Sequence, residues 1–493
     1  MLPLQKGLDA FLSQDREKIP ALAGRVSDMS GSTSKAVDPL KVIIIGAGIG
    51  GLALAQILML APEIQVTCYE RNASLDDGIV GFRVMLSDST LALLKRKLSN
   101  EVWAHVALGI GVQPAGGEKV EFFTENGGKL FTWDSDPTKN QFSVSRWQLR
   151  EALLRQTKPF LRPGIAFERY ELLPNGGARV YCSDGTINEC DLLVGADGLN
   201  SMVKKQLIPY ATIKDVGMIN GEISYASHLH KHEANLNYTL CPRNQYIMLA
   251  TWQNPLAPFA TRYTSLTIEP EESYIMLGAG SPVSNFHNHH CPPNSLTSAE
   301  LKAELIERTS TPSIHPRFAE LAHMACTDTA YVHTVRKSEA IGPWSSQTIT
   351  LLGDAVFNMS NTLSRGANCA LLDAVSLAEC LTSPAYDRHS PTSMNTYVKE
   401  NIERRLNERQ RSYLMHEIMF PGQRSFEGFV RNVTLPVALH RIDDLDREEH
   451  GASEGQVGDE GPWKEGCISP KWVEELRWEE LFAKKQAEGK EAS

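Results

Sequence analysis

The stretch from Lys41 to Gly51 reads KVIIIGAGIGG and determines the fold of the segments around it. Val42 to Ile45 is a continuous run of β-branched residues, which is typical of a central parallel strand. Three glycines follow in the spacing G-x-G-x-x-G, and Leu52 to Leu60 then reads as a helix. A buried strand, a glycine turn and a helix in this order predict a phosphate-binding βαβ unit, with Gln65 to Glu70 as its second strand.

Each glycine of this turn has a separate physical task. Gly46 permits the tight turn, Gly48 lets the backbone approach a pyrophosphate, and Gly51 lets the helix pack closely on the strand. Glu70 ends the second strand, where a carboxylate bonds ribose hydroxyls and repels a 2′-phosphate. Arg71 follows directly and is assigned to the same site. These residues predict bound FAD or NAD and do not distinguish between them.

Composition narrows the class of protein. The 493 residues are enough for two or three domains, and 42% hydrophobic with 22% charged residues fits an ordinary globular chain. A net charge of −10 argues against general nucleic-acid binding, and no apolar run is long enough to predict a membrane span. Nine scattered cysteines without a C-x-x-C pair, and no signal peptide, predict a cytoplasmic protein with free thiols.

Four further segments resemble those of one enzyme family. Asp191 to Ser201 (DLLVGADGLNS) is similar to an Asp-Gly motif, and Leu352 to Ala374 (LGDAVFNMSNTLSRGANCALLDA) to a Gly-Asp motif. Ser143 to Arg150 (SVSRWQLR) resembles an Arg-x-x-Leu-Arg segment, and Gly81 to Arg83 a turn that follows the βαβ unit. Together, and in this order, they resemble the single-component FAD-dependent monooxygenases of the p-hydroxybenzoate hydroxylase and salicylate hydroxylase type.

The resemblance implies a set of cofactor contacts beyond the first turn. Arg83 and Arg146 would contact FAD, and Asp197 would serve both FAD and the transient docking of NADPH or NADH. Asp354 would accept hydrogen bonds from the ribityl hydroxyls. A helix from Ala367 and Asn368 to Leu381 would point its N-terminus at the flavin, where its dipole favours the anionic reduced ring.

The second glycine segment departs from the family pattern. Phe357 stands where the family usually has His, Ser360 and Asn361 where it has a Pro pair or x-Pro, and Ser364 where it has Gly. These positions lie near where oxygen would react. The departures leave the cofactor assignment intact and bear on the reaction.

The expected fold is α/β (α+β mixed): a Rossmann-like FAD-binding domain, an inserted β-sheet substrate domain and a helical C-terminal region. The expected boundaries are an extension at 1–38, the FAD-binding domain at 39–215 and 331–395 with a substrate-side hairpin near 115–140, the substrate domain at 216–330, and a charged, partly disordered region at 396–493.

The sequence therefore predicts an FAD-dependent monooxygenase that uses NAD(P)H and O2 on a small aromatic specialised metabolite. Hydroxylation, epoxidation and oxidative decarboxylation all remain open, and no catalytic residue is identified. An FAD-dependent oxidoreductase or cyclisation enzyme without oxygen insertion is the alternative, followed by a plain NAD enzyme or a non-enzymatic nucleotide-binding protein. No metal is expected, because the cluster from His287 to Cys291 lacks a partner motif.

Overall fold

The computed structural model describes residues 38–75, 83–111, 120–133, 141–174, 176–226, 236–241, 245–252, 274–285 and 291–419. All elements described below belong to the unit Pro39–Ser469. Residues 1–37 of the proposed extension, much of the C-terminal region and residues 287–290 of the histidine cluster lie outside the described residues.

A parallel five-stranded sheet forms the centre of the fold, in the order β17-β11-β1-β2-β7. Its strands, in chain order, are β1 (Leu40–Ile45), β2 (Ile64–Glu70), β7 (Leu161–Pro163), β11 (Leu192–Gly195) and β17 (Ile349–Leu351). β1 pairs in parallel with β2 and with β11, and β11 with β17. The βαβ unit predicted from the glycine turn is confirmed.

Two helices pack against each other, and the first of them also packs against β1 and β2 of this sheet. They are α1 (Ile49–Leu58) and α8 (Arg365–Thr382). They approach closely at Gly50, where an added Cβ would lie 2.8 Å from Leu352 Cδ1 and 3.3 Å from Ala370 Cβ. The absence of a side chain at Gly50 thus brings the two glycine segments of the sequence together.

A second sheet has seven strands in the order β16-β12-β15-β14-β13-β4-β5 and shares no strand with the parallel sheet. Its strands are β4 (Val120–Thr124), β5 (Lys129–Trp133), β12 (Ile213–Ala226), β13 (Leu236–Cys241), β14 (Gln245–Trp252), β15 (Tyr274–Pro282) and β16 (Tyr331–Ser338). β4 pairs in parallel with β13, and the other pairs are antiparallel. A hairpin is predicted near 115–140, and β4 and β5 form one around Asn126 that extends this sheet.

The other described strands form two small antiparallel sheets. One contains β3 (Arg83–Ser87) and β6 (Gln141–Ser145), and the other contains β8 (Phe167–Leu172), β9 (Ala178–Cys182) and β10 (Ile187–Cys190). The remaining helices are α2 (Asp88–Lys97), α3 (Asn100–Leu108), α4 (Arg146–Leu154), α5 (Met202–Leu207), α6 (Ser298–Thr309), α7 (Pro316–Met324) and α9 (Thr392–Met419).

Candidate functional site

The carboxyl edge of the parallel sheet carries most of the predicted cofactor residues. Gly46 follows β1, Glu70 ends β2, Asp197 follows β11 and Asp354 follows β17. In the strand order β2-β1-β11-β17, three strand spacings, roughly 14 Å, separate the first strand from the last. An elongated ligand crossing this edge would meet all four residues, as ligands of open α/β sheets do.

Space at the first glycine turn is not filled by any described protein atom. Gly46 has φ of +107°, and a Cβ there would lie 2.4 Å from the carbonyl oxygen of Ala196. A Cβ on Gly51 would lie 2.1 Å from the carbonyl oxygen of Gly46. A Cβ on Gly48 would meet nothing described within 4 Å. Gly46 and Gly51 are therefore required by the protein itself, whereas the open space at Gly48, at the N-terminus of α1, fits a pyrophosphate.

Glu70 braces this turn from the neighbouring strand. Its Oε2 accepts a hydrogen bond from the Ala47 amide at 2.8 Å, and its Oε1 accepts one from the Asn72 amide at 3.0 Å. Each carboxylate oxygen can accept a further bond, so Glu70 can hold the turn and also receive a ribose hydroxyl. Arg71 is exposed beside it.

Asp197 is attached to the start of a helix. Its Oδ2 accepts hydrogen bonds from the amides of Met202 at 2.7 Å and Val203 at 3.4 Å, both in the first turn of α5. Burial raises the pKa of the Asp197 carboxyl, while Ser201 and these amides act in the opposite direction. Asp197 follows a parallel strand, so the Asp-Gly step leads into a helix and does not close a hairpin.

The small sheet of β3 and β6 brings Arg83 next to the strand end that precedes Arg146. Arg83 pairs in register with Ser145, the residue before Arg146, and its Nη1 donates to Ser143 Oγ at 3.0 Å. The Ser145 side chain accepts a hydrogen bond from the amide of Gln148 and caps α4. Residues distant in sequence from the first turn are thus placed together by pairing of two short strands.

Asp354 lies at a cavity of about 430 Å³, a volume typical of small-molecule sites. The cavity separates the Gly-Asp turn from β16, and it is lined by Leu199, Asn294, Val332, Thr334, Val335, Arg336, Asp354, Asn358, Met359 and Asn361. The Asp354 side chain lines this space and is 50% exposed. Desolvation by the surrounding protein raises the pKa of the Asp354 carboxyl, and Arg405 and then Arg146 oppose that rise.

The helix at the second glycine segment begins at Arg365, two residues before the predicted Ala367. Ser364, the residue before it, adopts φ of 52°, a left-handed conformation that favours glycine. Gly366 has open space where a Cβ would lie. The Asn368 side chain accepts from the Ser87 amide at 3.0 Å and donates to the Met85 carbonyl at 2.8 Å, so it joins α8 to β3.

Two of the residues that depart from the family pattern, Phe357 and Ser360, contact α9. Phe357 is buried, with the guanidinium groups of Arg405 and Arg409 at 5.5 Å and 6.0 Å from its ring centroid. Ser360 is buried against His416, with 3.3 Å between Oγ and Nδ1. These contacts were not predicted, because nothing in the local sequence of a charged helix indicates which residues face inward.

We expect protonation of His416 to lower the stability of the folded protein in acid. Burial lowers the pKa of its imidazole from 6.5 to about 4, with a further contribution from Lys337. The unfolded chain therefore binds the proton first, so stability is complete above about pH 6.5 and falls as the pH drops toward 4, by at most about 3 kcal/mol. Urea unfolding of the apoprotein across this range measures the loss, and His416→Asn should flatten it. An unchanged slope in that variant would contradict the assignment.

Five Tyr and His side chains in or beside the expected substrate domain are candidates for a base that removes a phenolic proton from a substrate: Tyr225, His228, His230, Tyr238 and His333. Tyr238 is buried in an aromatic cluster, stacked on Phe122 with centroids 5.5 Å apart. Tyr225 lies on β12 and His333 on β16. His228 and His230 lie outside the described residues. Within the described ranges, no group of three or more His, Cys, Asp or Glu side chains could hold a metal ion, and no helix there is both long and apolar enough for a membrane span.

Comparisons with known proteins agree with this geometry. The FAD binding domain family matches residues 178–406. A dual O-methyltransferase/FAD-dependent monooxygenase, elcB, from Phaeosphaeria nodorum is 26% identical over 446 residues, covering 79% of this chain and 47% of its own length. The chain thus spans about half the length of that relative.

Two bacterial proteins match over most of their own length. The 2-heptyl-3-hydroxy-4(1H)-quinolone synthase of Pseudomonas aeruginosa is 25% identical, covering 70% of this chain and 82% of the synthase. The crystal structure of Klebsiella pneumoniae HpxO with FAD and uric acid is 16% identical and superposes with a TM-score of 0.65, covering 82% of this chain and 96% of HpxO. The mixed α/β fold resembles that of FAD monooxygenase structures, and the match to the FAD binding domain family covers residues 178–406 of this chain.

Proposed function

We propose that this protein is an FAD-dependent monooxygenase that uses NAD(P)H and O2 to oxidise a small aromatic specialised metabolite. The observation that carries the proposal is the carboxyl edge of the parallel sheet, where unfilled space at Gly48 and a cavity at Asp354 lie along one line of strand ends. The relatives named above support it, since two are an FAD-dependent monooxygenase and a hydroxyquinolone synthase.

The described residues fit FAD in named positions. The amides at the N-terminus of α1, which directly follows Gly48, would hold the pyrophosphate, and Glu70 would bind the adenosine ribose. Asp354 would accept hydrogen bonds from ribityl hydroxyls, and the N-terminus of α8 would stabilise negative charge on the ring. Bound FAD would supply hydride acceptance from NAD(P)H and the reaction with O2.

The chain's own groups would control access and charge in the cavity. Val332, Val335 and Met359 offer apolar surface, and Thr334 and Asn361 offer hydrogen-bonding groups beside it. A planar aromatic ring with polar substituents matches such a lining. We include a cytoplasmic location in the proposal, because the cysteines within the described residues are free thiols.

A second candidate is an FAD enzyme that dehydrogenates, reduces or cyclises without inserting oxygen. Asn361 at the cavity wall favours this candidate. Its polar side chain stands where the monooxygenase family that the sequence resembles has Pro, beside the reacting oxygen. Buried Phe357 and Ser360 complete the altered segment.

Oxygen labelling separates the two candidates. We expect the purified protein to carry FAD by its absorption spectrum, and a panel of aromatic compounds to include one that accelerates anaerobic flavin reduction by NADPH or NADH. With that compound and ¹⁸O₂, about one labelled atom should enter each product molecule for each NAD(P)H consumed. Product formed anaerobically, or without label, would support the second candidate. A protein that binds no FAD would exclude both.

A further inference from the structure

Arg405 is a buried cation beneath the Gly353–Asp354 turn. It comes from α9, and its side chain is 0% exposed. Its Nη1 donates to Asp373 Oδ2 at 2.7 Å and its Nη2 donates to the carbonyl oxygen of Phe357 at 2.8 Å. The same Nη2 lies 3.8 Å from Asp354 Oδ1. One guanidinium therefore contacts both ends of the segment that begins at the turn and leads to Phe357.

Asp373 connects that cation to the turn itself. It lies on α8, is fully buried, and accepts a hydrogen bond from the Gly353 amide at 2.9 Å through the oxygen that also receives Arg405. Gly353 has φ of +63°, so its amide direction is part of a conformation that other residues adopt at a cost. The position of the turn is therefore fixed from α8 and α9 together.

Arg405 also balances charge at the cavity. Desolvation acts to raise the pKa of the Asp354 carboxyl, and Arg405 opposes it most strongly, ahead of Arg146 and Lys204, while Asp373 adds to the rise. Desolvation acts to lower the pKa of Arg405 itself, but Asp373, Cys369 and Asp354 together outweigh it, and the net pKa is raised. The Arg405 guanidinium therefore favours the ionised form of the Asp354 carboxyl.

We propose that Arg405 is a positioning residue for the cofactor, which holds the Gly353–Asp354 turn in place and keeps the Asp354 carboxylate able to accept hydrogen bonds from the ribityl chain. Arg405 acts through the turn and does not itself need to touch FAD. The proposal rests on the FAD site of the proposed function. A lysine could not replace it fully, because one ammonium cannot make the fork of bonds to Asp373 and Phe357.

Arg404 provides a matched control on the same helix. Its Nη2 donates to the other oxygen of Asp373 at 2.8 Å, and its side chain is 30% exposed. Arg404→Met and Arg405→Met therefore each remove one arginine from Asp373, but only the second removes the bond to the Phe357 carbonyl and the cation beside Asp354.

Titration of the apoprotein with FAD, followed by flavin fluorescence, tests the proposal. We expect Arg405→Met to weaken FAD binding by about tenfold or more and Arg404→Met by less than about threefold. In Arg405→Met the loss of FAD binding on acidification should also begin at a higher pH, because Asp354 protonates more readily. Arg405→Lys should keep the wild-type pH profile while binding FAD more weakly.

Equal losses in the two methionine variants, or a pH profile that Arg405→Met leaves unchanged, would overturn the proposal. If Arg405→Met does not fold by circular dichroism, Arg405→Gln against Arg404→Gln gives the same comparison with smaller disturbance. Wild-type protein that binds no FAD would reject the proposed function. Wild-type binding with no difference between the arginines would reject only the role of Arg405.

Discussion

Replacing Gly48 by alanine is expected to leave a folded apoprotein that has lost most of its affinity for FAD. A Cβ at Gly48 meets no described protein atom within 4 Å, and φ of −74° suits any residue. The cost in folding should therefore stay below about 1 kcal/mol, the range for a changed helix N-cap. The same methyl group would occupy the space of the pyrophosphate, so we expect the Kd for FAD to rise about 100-fold. Fluorescence titration of the apoprotein measures the affinity, and urea unfolding measures the stability.

Gly51→Ala is the matched control within the same turn. Its Cβ would lie 2.1 Å from the Gly46 carbonyl oxygen, so the strand and helix must separate and the apoprotein itself should be destabilised. The two alanine variants should thus differ in stability while both lose FAD. Wild-type affinity in Gly48→Ala would show that the ligand does not approach this turn.

The first glycine segment could be predicted from sequence because its determinants are local. A run of β-branched residues, three glycines and an apolar helix follow one another directly in the sequence. The observed strands, Leu40–Ile45 and Ile64–Glu70, differ from prediction by one or two residues at their first ends. The helix was expected from Leu52 and begins at Ile49, because the turn glycines themselves enter its first turn.

The second segment could be predicted less well because tertiary contacts shape it. The left-handed conformation of Ser364 moves the start of α8 to Arg365, and no sequence rule assigns that conformation to serine. Pairing of the hairpin at Asn126 with β13 joins strands more than 100 residues apart, which a hairpin pattern does not specify.

The residues that brace the cofactor edge were missed for a similar reason. Asp373 lies on an apolar helix face that the spacing of Ala370, Leu371 and Ala374 indicates, and its carboxylate is tolerated there only because arginines from α9 reach it. Those arginines belong to a charged stretch of sequence whose pattern predicts a solvent-exposed helix. The sequence did offer one signal for Asp373, which is an acidic residue among apolar residues on one helix face. The arginines that pair with it could be identified only from the fold.

Asp373→Ala should be the most destabilising single substitution considered, lowering the free energy of unfolding by about 3–5 kcal/mol. It leaves Arg405 buried without its closest partner and removes the acceptor of the Gly353 amide. Glu379→Ala is the control on the same helix, since its ion pair with Lys97 at 2.8 Å is half exposed and is worth at most about 1 kcal/mol. Urea unfolding of the apoproteins compares them.

The double variant Asp373→Leu with Arg405→Met separates stability from cofactor binding. Exchanging a buried ion pair for apolar side chains is often close to neutral, so much of the unfolding free energy lost in Asp373→Ala should return. Affinity for FAD should not return, because the Gly353 amide and the Asp354 carboxylate both remain without their partners. A loss in Asp373→Ala no larger than that in Glu379→Ala would mean that the buried pair does not hold the turn. Recovery of FAD affinity in the double variant would mean that the turn holds its position without Arg405.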